Sequence, residues 1–339
     1  MEELLSVKNL SVSFDTHAGE VQAIRDISFE IYKNETVAVV GESGCGKSVT
    51  SKAIMGLLPK HQSRIKQGEI YYNGRNILKD SSKEHQDFCG KECAMIFQDA
   101  LTALNPTLTV GKQVTENLRN HTDMNKKEQE MYAVELLGRA GIPDPEQCMK
   151  KYPLELSGGM RQRVMIASAI VCHPKLLIAD EPTTALDVTI QAQVLELLKE
   201  IQQKNGMSIL LITHDLGVVS QMADRILVMY AGKVVESGDS RDIFYHTKHP
   251  YTWALIQSVP QLKKRTGSDR LQTIEGNLPS VINLPKGCVF ADRCPYCMNI
   301  CREEEPEQYV CGHGHTISCW LQEEMADKTG ISFLEGGTQ

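Results

Sequence analysis

The sequence predicts an α/β fold built on a largely parallel sheet, with its functional residues at the C-terminal ends of the strands. Three observations support this. Glu35-Thr-Val-Ala-Val-Val40 is a β-branched apolar run. It leads directly into the glycine-rich stretch Gly41-Glu-Ser-Gly-Cys-Gly-Lys-Ser48, and Lys47–Leu58 continues with helix-forming composition and apolar Ala53, Ile54, Leu57 and Leu58. Further apolar runs at Ala94–Phe97, Lys175–Asp180 and Met207–Ile212 are separated by helical patterns. The C-terminal end differs from the rest, because six of the eleven cysteines lie between Cys288 and Cys319.

In chain order, Leu5–Phe14 and Ile24–Ile31 read as a small antiparallel sheet. Ile27, Phe29 and Ile31 share one face, and His17-Ala-Gly-Glu20 supplies the turn. Phe14 precedes that turn, as a base-stacking ring or as an ordinary packed aromatic. Gly41–Ser48 fits G-x-x-x-x-G-K-[ST], a phosphate-binding loop, and the strand before it and helix after it are the context that motif requires. Gly41, Gly44 and Gly46 let backbone N–H groups converge on an anion that the helix N-terminus also favours. Asn73-Gly74 marks a hairpin within Gly68–Ile77, and Leu104-Asn-Pro-Thr107 is turn chemistry. Residues 100–155 read as a helical insertion. Asn125 and Glu128 suggest a capping box, Tyr132, Leu136 and Ala140 with Val134 and Leu137 form a stripe, and Gly141 and Pro143 end it. Val188–Lys204 is an amphipathic helix closed by Asn205-Gly206, and Ile226–Tyr230 and Lys233–Glu236 flank a hairpin turn at Ala231-Gly232. Residues 237–285 thin out. Thr266–Arg270 and Gly276–Pro279 read as linker, and residues 328–339 as a frayed tail.

The chain's 339 residues allow two domains, or one with an appendage. At 41% hydrophobic and 23% charged it has an ordinary globular composition. A formal net charge of −7 argues against nucleic acid as a partner. No run approaches the ~18 apolar residues of a membrane span, and Met-Glu-Glu-Leu-Leu is no signal-peptide start, so a cytoplasmic chain is expected. Cysteines in that compartment suggest metal or reactive thiols before disulfides.

The chemistry follows from placement. Lys47 would reach the β- and γ-phosphates and the Ser48 hydroxyl would ligate Mg²⁺. Asp180, at the end of an apolar strand, can hold Mg²⁺ opposite Ser48, and Glu181 can orient or deprotonate an attacking water. His214, at the end of the next strand, is a structural histidine or a γ-phosphate contact, and the shared strand-end position favours the contact. Gln98, also at a strand end, could touch the metal or the water. Ser157, Gly158 and Gly159 precede a helical run and form a second anion-binding helix N-terminus.

With these motifs in order over residues 1–240, the chain resembles an ABC-transporter ATPase subunit. Gly41–Ser48 matches Walker A, Gln98 the Q-loop and Leu156–Gln162 the signature. Leu176–Asp180 with Glu181 matches Walker B, Ala185-Leu-Asp187 the D-loop and His214 the switch histidine. The resemblance implies a P-loop NTPase core with an N-terminal antiparallel β subdomain, a helical subdomain over about 100–160, and an ATPase domain spanning 1–260. It implies ATP contacts at Phe14, Gly41, Ser43, Gly44, Cys45, Gly46, Lys47, Ser48 and Val49. Mg²⁺ falls to Ser48, Gln98 and Asp180, and the catalytic roles to Glu181, His214 and Gln98. Two such domains dimerise head to tail, so Ser157, Gly158 and Gly159 serve the partner's ATP, which accounts for two separate anion sites.

Phe97–Pro106, Leu156–Ala167, Asp180–Thr189 and His249-Pro-Tyr-Thr252 narrow the resemblance to the oligopeptide/dipeptide (and nickel) permease ATPases. Met160, where most of the wider family carries Gln, resembles the D-type subunit. The resemblance implies ATP-driven import of di- or oligopeptides, with nickel or another solute as the alternative. It implies an F-type ATPase partner, two transmembrane permease subunits and, indirectly, an extracytoplasmic solute-binding protein, with the chain peripheral on the cytoplasmic face of the membrane. A non-transport ABC ATPase with an iron–sulfur or zinc regulatory module is the rival of another class. One P-loop and an acidic balance weigh against it.

The cysteine pattern taken as metal-binding is Cys288-x5-Cys294-x6-Cys301-x17-Cys319, with Cys297 and Cys311 extra. Only Cys294-Pro-Tyr-Cys297 has zinc-knuckle form, while His313 and His315 keep zinc open as an alternative, beside free thiols. Wider spacings suit an iron–sulfur cluster. The resemblance supports this, since Gly287–Pro295 matches the Gly-Cys-x-Phe-x-x-Arg-Cys-Pro of D-type C-terminal extensions that bind [4Fe-4S]. The extension is placed at 261–327. Its short, polar sequence is expected to be too poor in apolar residues to fold without a metal cross-link.

Overall fold

The structure is a computed structural model that describes residues 2–184, 186–258, 274–282, 284–312, 314–326, 328, 331 and 334. Ala185 of the D-loop motif, the linker Thr266–Arg270, His313 and most of the 328–339 tail lie outside the described residues. In chain order the strands are β1 (Glu3–Thr16), β2 (Gly19–Tyr32), β3 (Thr36–Val40), β4 (Ser63–Tyr72), β5 (Arg75–Asn76), β6 (Cys93–Ile96), β7 (Leu176–Asp180), β8 (Ser208–Ile212), β9 (Arg225–Tyr230), β10 (Lys233–Asp239), β11 (Tyr309–Val310) and β12 (Thr316–Ile317). The chain divides into two compact units. One holds residues 1–5, 30–36 and 71–212, the other 6–29, 37–70 and 213–339.

In the first unit β6, β7 and β8 run parallel, with Cys93 beside Leu176 and Asp180 beside Ile212. β7 and β8 are buried at every position. This is why they read as unbroken apolar runs rather than alternating ones. The helical insertion consists of Val110–His121, Lys126–Arg139 and Pro145–Cys148. Its middle helix starts on the predicted box: Asn125 Oδ1 accepts from the Glu128 N–H at 3.1 Å, and Glu128 Oε2 accepts from the Asn125 N–H at 2.7 Å. That helix buries Ala133, Leu136 and Leu137. The helix Val188–Asn205 buries Val194, Leu195, Leu197, Leu198 and Ile201, and ends on Gly206 at φ 63°. Between β4 and β5 the hairpin turns on Asn73 at φ 47° and Gly74 at φ 76°, the left-handed pair such two-residue turns require.

His173, itself at φ 51°, closes the turn before β7. Its Nε2 meets the Tyr132 hydroxyl at 2.8 Å and its Nδ1 meets Asn205 Nδ2 at 2.6 Å. The amide donates to Nδ1, so the ring is held neutral with its proton on Nε2. Burial first, then the Arg139 and Lys175 charges, push the imidazole below its ordinary value. A histidine whose folded pKa is depressed stabilises the fold above its unfolded pKa of about 6.5 and loses that contribution as pH falls. The thermal midpoint should therefore fall below about pH 6.5, and His173→Gln should flatten that slope. Equal slopes in the two proteins would remove His173 from the account.

In the second unit the inner parts of β1 and β2, residues 6–16 and 19–29, form a hairpin around His17-Ala18, with Val12, Ile27 and Phe29 buried. β9 pairs parallel to β3 and antiparallel to β10. The β9–β10 hairpin turns on Ala231 at φ 44° and Gly232 at φ 83°.

Three expectations are corrected here. The helix after the glycine loop is Lys47–Ile54, not Lys47–Leu58: Gly56 turns left-handed at φ 62° and Leu57 is exposed. Residues 237–285 are not a thinning linker throughout, since β10 reaches Asp239 and the helices Ser240–Tyr245 and Pro250–Gln257 follow. His249 caps the second of these helices, and Tyr251 in its first turn is fully buried. Nor does the cysteine-rich segment lack a core. β12 adds to the sheet beside β10, pairing Ile317 with Glu236. Ile317, Cys319, Leu321 and Ile331 form a buried cluster packed by Trp253, Tyr296 and Met298.

A buried carboxylate helps hold this segment in place. Glu236 is fully buried and accepts from Thr247 Oγ1 at 2.8 Å, the Lys248 N–H at 2.7 Å and the His249 N–H at 3.3 Å, and pairs with His315 Nε2 at 2.8 Å. Burial alone would raise its pKa. The hydrogen bond from His315 and its other partners outweigh that and hold it below the ordinary range.

Candidate nucleotide site

The glycine loop belongs to the second unit. β3, buried at every position, delivers the chain to Gly41 at φ 151°. A side chain there would collide with the Met229 carbonyl. Gly46, at φ 108°, caps the helix Lys47–Ile54, and a Cβ on it would sit 2.6 Å from the Ala23 carbonyl. Both positions therefore require glycine. Lys47 is buried, and its Nζ donates to the Gly41 carbonyl at 2.7 Å and the Glu42 carbonyl at 3.0 Å, so the ammonium is held against the loop it belongs to. The Cys45 thiol is buried 3.7 Å from that Nζ, while Ser43 and Gly44 are exposed and Ser48 and Val49 half-buried. Phe14 is half-buried and His214 exposed, each in this same unit.

The acidic strand end, the glutamine and the signature segment belong to the first unit. Asp180 is the last residue of β7 and only 2% exposed. Glu181 follows it at φ 50°, with its N–H on the Ile212 carbonyl at 2.8 Å. A non-glycine residue held in the left-handed region is strained, and such strain concentrates at functional positions. Glu181 Oε2 accepts from Gln98 Nε2 at 3.1 Å and from Thr184 Oγ1 at 3.1 Å. Two residues chosen from separate strand ends thus meet. Ser157 caps the helix Gly158–Ile170, its hydroxyl accepting from the Met160 N–H at 3.3 Å. A Cβ added at Gly158 would meet nothing within 4 Å. Gln162 Nε2 donates to the Pro182 carbonyl at 2.7 Å, tying the signature helix to the turn after Glu181.

The four chosen cysteines also come together. Cys288, Cys294, Cys301 and Cys319 line one pocket with His249, Phe290 and Trp320, and neither Cys297 nor Cys311 lines it. Cys311 Sγ instead meets Gln322 Oε1 at 3.5 Å. Burial pushes the Cys288 thiol up to about 11 and Cys294 to about 12, and raises Cys319 as well. Among the described residues no three histidine, cysteine or acidic side chains are gathered closely enough to hold a single metal ion.

Sequence reading missed the contacts that frame these groups. Thr184 lies inside a quoted motif, yet its hydroxyl contact with Glu181 has no sequence signal beyond proximity. Glu42, Tyr251 and Arg293 also lie inside quoted motifs, and Glu42 meets Tyr251 and Arg293 from 209 and 251 positions away.

Comparison with known proteins accords with this geometry. Residues 24–184 match the family model described as ABC transporter, and residues 235–301 match that of the oligopeptide/dipeptide transporter C-terminal region. The chain is 52% identical to the dipeptide transport ATP-binding protein DppD of Bacillus subtilis (strain 168), over 98% of both chains. It is 53% identical to the oligopeptide transport ATP-binding protein OppD of the same organism, over 96% of this chain and 90% of that one. It is 48% identical to DppD of Escherichia coli (strain K12), over 93% and 96%. Among solved structures, an ATP-binding cassette in a dimeric post-hydrolysis state bound to ADP and Pi superposes with a TM-score of 0.64 at 27% identity, covering 70% of this chain and 99% of that one. The chain belongs to the ABC transporter family of ATPases, among its oligopeptide/dipeptide ATP-binding proteins.

Proposed function

We propose that the chain binds and hydrolyses ATP to power uptake of di- or oligopeptides across the cytoplasmic membrane. The observation that carries this reading is likeness along the whole length, C-terminal region included, to proteins named for dipeptide and oligopeptide transport. Among the described residues no helix is long and apolar enough to cross a membrane. In this reading separate permease subunits carry the solute path, with this chain peripheral to them on the cytoplasmic side. Residues 1–260 carry the nucleotide work in this reading, and 261–327 the extension. Met160 favours a heterodimer with an F-type ATPase over a homodimer.

Gly41–Ser48 receive the phosphates, with Lys47 turning from loop carbonyls to phosphate oxygens, and Phe14 stacks on the base. Ser48, Asp180 and Gln98 offer hard oxygen donors of the kind Mg²⁺ takes, and the ion neutralises phosphate charge when bound. Glu181 polarises the attacking water, His214 contacts the γ-phosphate, and Ser157, Gly158 and Gly159 face the partner's nucleotide. Four thiols line one pocket, and their spacing along the chain favours a [4Fe-4S] cluster over a zinc knuckle. Bound there, a cluster would cross-link Cys288, Cys294, Cys301 and Cys319, as redox sensor or structural staple.

The test is uptake. Deleting the gene is expected to stop di- or oligopeptide import, and Lys47→Ala, which weakens nucleotide binding itself, should fail to restore it. Import of peptide unchanged by deletion, with loss of nickel or another solute instead, would overturn the peptide assignment. Cysteines introduced at residues 98–106 should cross-link to a permease subunit. Cross-links to soluble proteins alone would overturn the transporter reading.

A further inference from the structure

Glu42, the second residue of the phosphate loop, is a junction between the loop and the C-terminal extension. Its N–H donates to the Tyr251 hydroxyl at 2.9 Å, and its carbonyl accepts from Lys47 Nζ at 3.0 Å and the Cys45 N–H at 3.3 Å. Its carboxylate accepts from Arg293 Nη1 at 2.8 Å. The Arg293 side chain is only 6% exposed and every nitrogen is engaged: Nε donates to the Glu275 carbonyl at 2.9 Å, Nη2 to the Ile274 carbonyl at 3.2 Å, and Nη1 also to the Tyr230 hydroxyl at 3.2 Å. Tyr230, Tyr251 and Phe290 are buried against one another, with ring centroids 4.6, 5.2 and 5.4 Å apart. Arg293 ends the turn Ala291–Arg293, between two of the pocket cysteines, Cys288 and Cys294.

Phosphate binding does not call for an acid in this loop. A free carboxylate there would repel a triphosphate, and more strongly in a partly buried setting. Arg293 neutralises that charge and, with Tyr251, fixes the peptide whose carbonyl holds Lys47. We propose that Arg293, from the C-terminal extension, and Tyr251, from the helix Pro250–Gln257, are positioning residues for the phosphate loop, acting through Glu42, so that the extension tunes the affinity for ATP through Arg293. This rests on the loop being the ATP site.

The test is ATP binding to the full-length chain in the presence of Mg²⁺, measured calorimetrically alongside a thermal melt. Arg293→Gln should raise the Kd about tenfold, as expected when one member of a partly buried charge pair is left alone. Arg293→Lys should recover most of that loss by keeping the charge. Tyr251→Phe, which deletes one hydroxyl and keeps the ring, should raise the Kd about threefold, one neutral hydrogen bond's worth. In a Glu42→Gln background, Arg293→Gln should cost less than twofold, because its partner charge is already gone. An equal loss in both backgrounds, no rescue by lysine, or an unchanged Kd in a folded Arg293→Gln protein would overturn the proposal. A wild-type chain that fails to bind ATP would instead overturn the nucleotide reading on which it rests.

Discussion

Replacing Glu181 with Gln should leave ATP bound and cut turnover at this subunit's own site by about 10²-fold or more, the scale on which a positioned general base or charge acts. The substitution keeps shape and hydrogen-bonding length and removes only the carboxylate's ability to take a proton and its charge. The geometry is specific to that group. Oε2 is fixed between Gln98 Nε2 and Thr184 Oγ1, each at 3.1 Å, and the backbone is pinned by the Glu181 N–H on Ile212. The buried Asp180 beside it is not equivalent, being proposed as a Mg²⁺ ligand rather than as the group facing the water. Turnover must be measured with the ATP site of any partner ATPase disabled, since a second working site would mask the loss. Undiminished hydrolysis under those conditions would take the catalytic role away from Glu181.

The second large effect concerns the cysteine pocket. Protein purified without oxygen should be brown, with about four iron and four sulfide per chain. Serine at Cys288, Cys294, Cys301 or Cys319 should bleach it and open residues 285–325 to protease. Serine at Cys297 or Cys311 should do neither, since neither lines the pocket. The core around Ile317 and Leu321 moderates the protease result: the segment should loosen rather than unfold outright, because β12 stays paired to β10 and packing on Trp253 remains. Stoichiometric zinc without iron in anaerobic protein would overturn the cluster. Loss of iron on changing Cys297 would show that the quartet is a different one.

Features encoded over a few residues were legible in the sequence. The hairpin at Asn73-Gly74, the box at Asn125 and Glu128, the helix stop at Gly206 and the unbroken apolar strands β7 and β8 depend on local stereochemistry or on burial of a whole element, and a sequence carries both. The residues at the strand ends could be chosen because a parallel sheet presents them together, and Gln98 with Glu181 bears this out within one unit. What could not be read was long-range pairing. β11 and β12 are two residues each, too short for any periodicity, and β12 pairs with β10 nearly 80 residues away. His249-Pro-Tyr-Thr252 reads as linker because Pro and polar residues dominate it, yet His249 caps a helix there and its ring and that of Tyr251 pack on Phe290, some 40 positions on. The same holds for Arg293, whose meaning lies in an acid 251 positions earlier.

With hydrolysis assigned to Glu181 as proposed, its left-handed backbone puts heat tolerance and turnover in opposition at a single codon. Residues without a β-carbon adopt that conformation freely, so Glu181→Gly would relieve the strain at the position while deleting the carboxylate. Directed evolution for survival at high temperature, without selection for transport, would therefore tend to lose this side chain early. A laboratory lineage kept only for robustness would drift toward a well-folded cassette that grips ATP and seldom spends it.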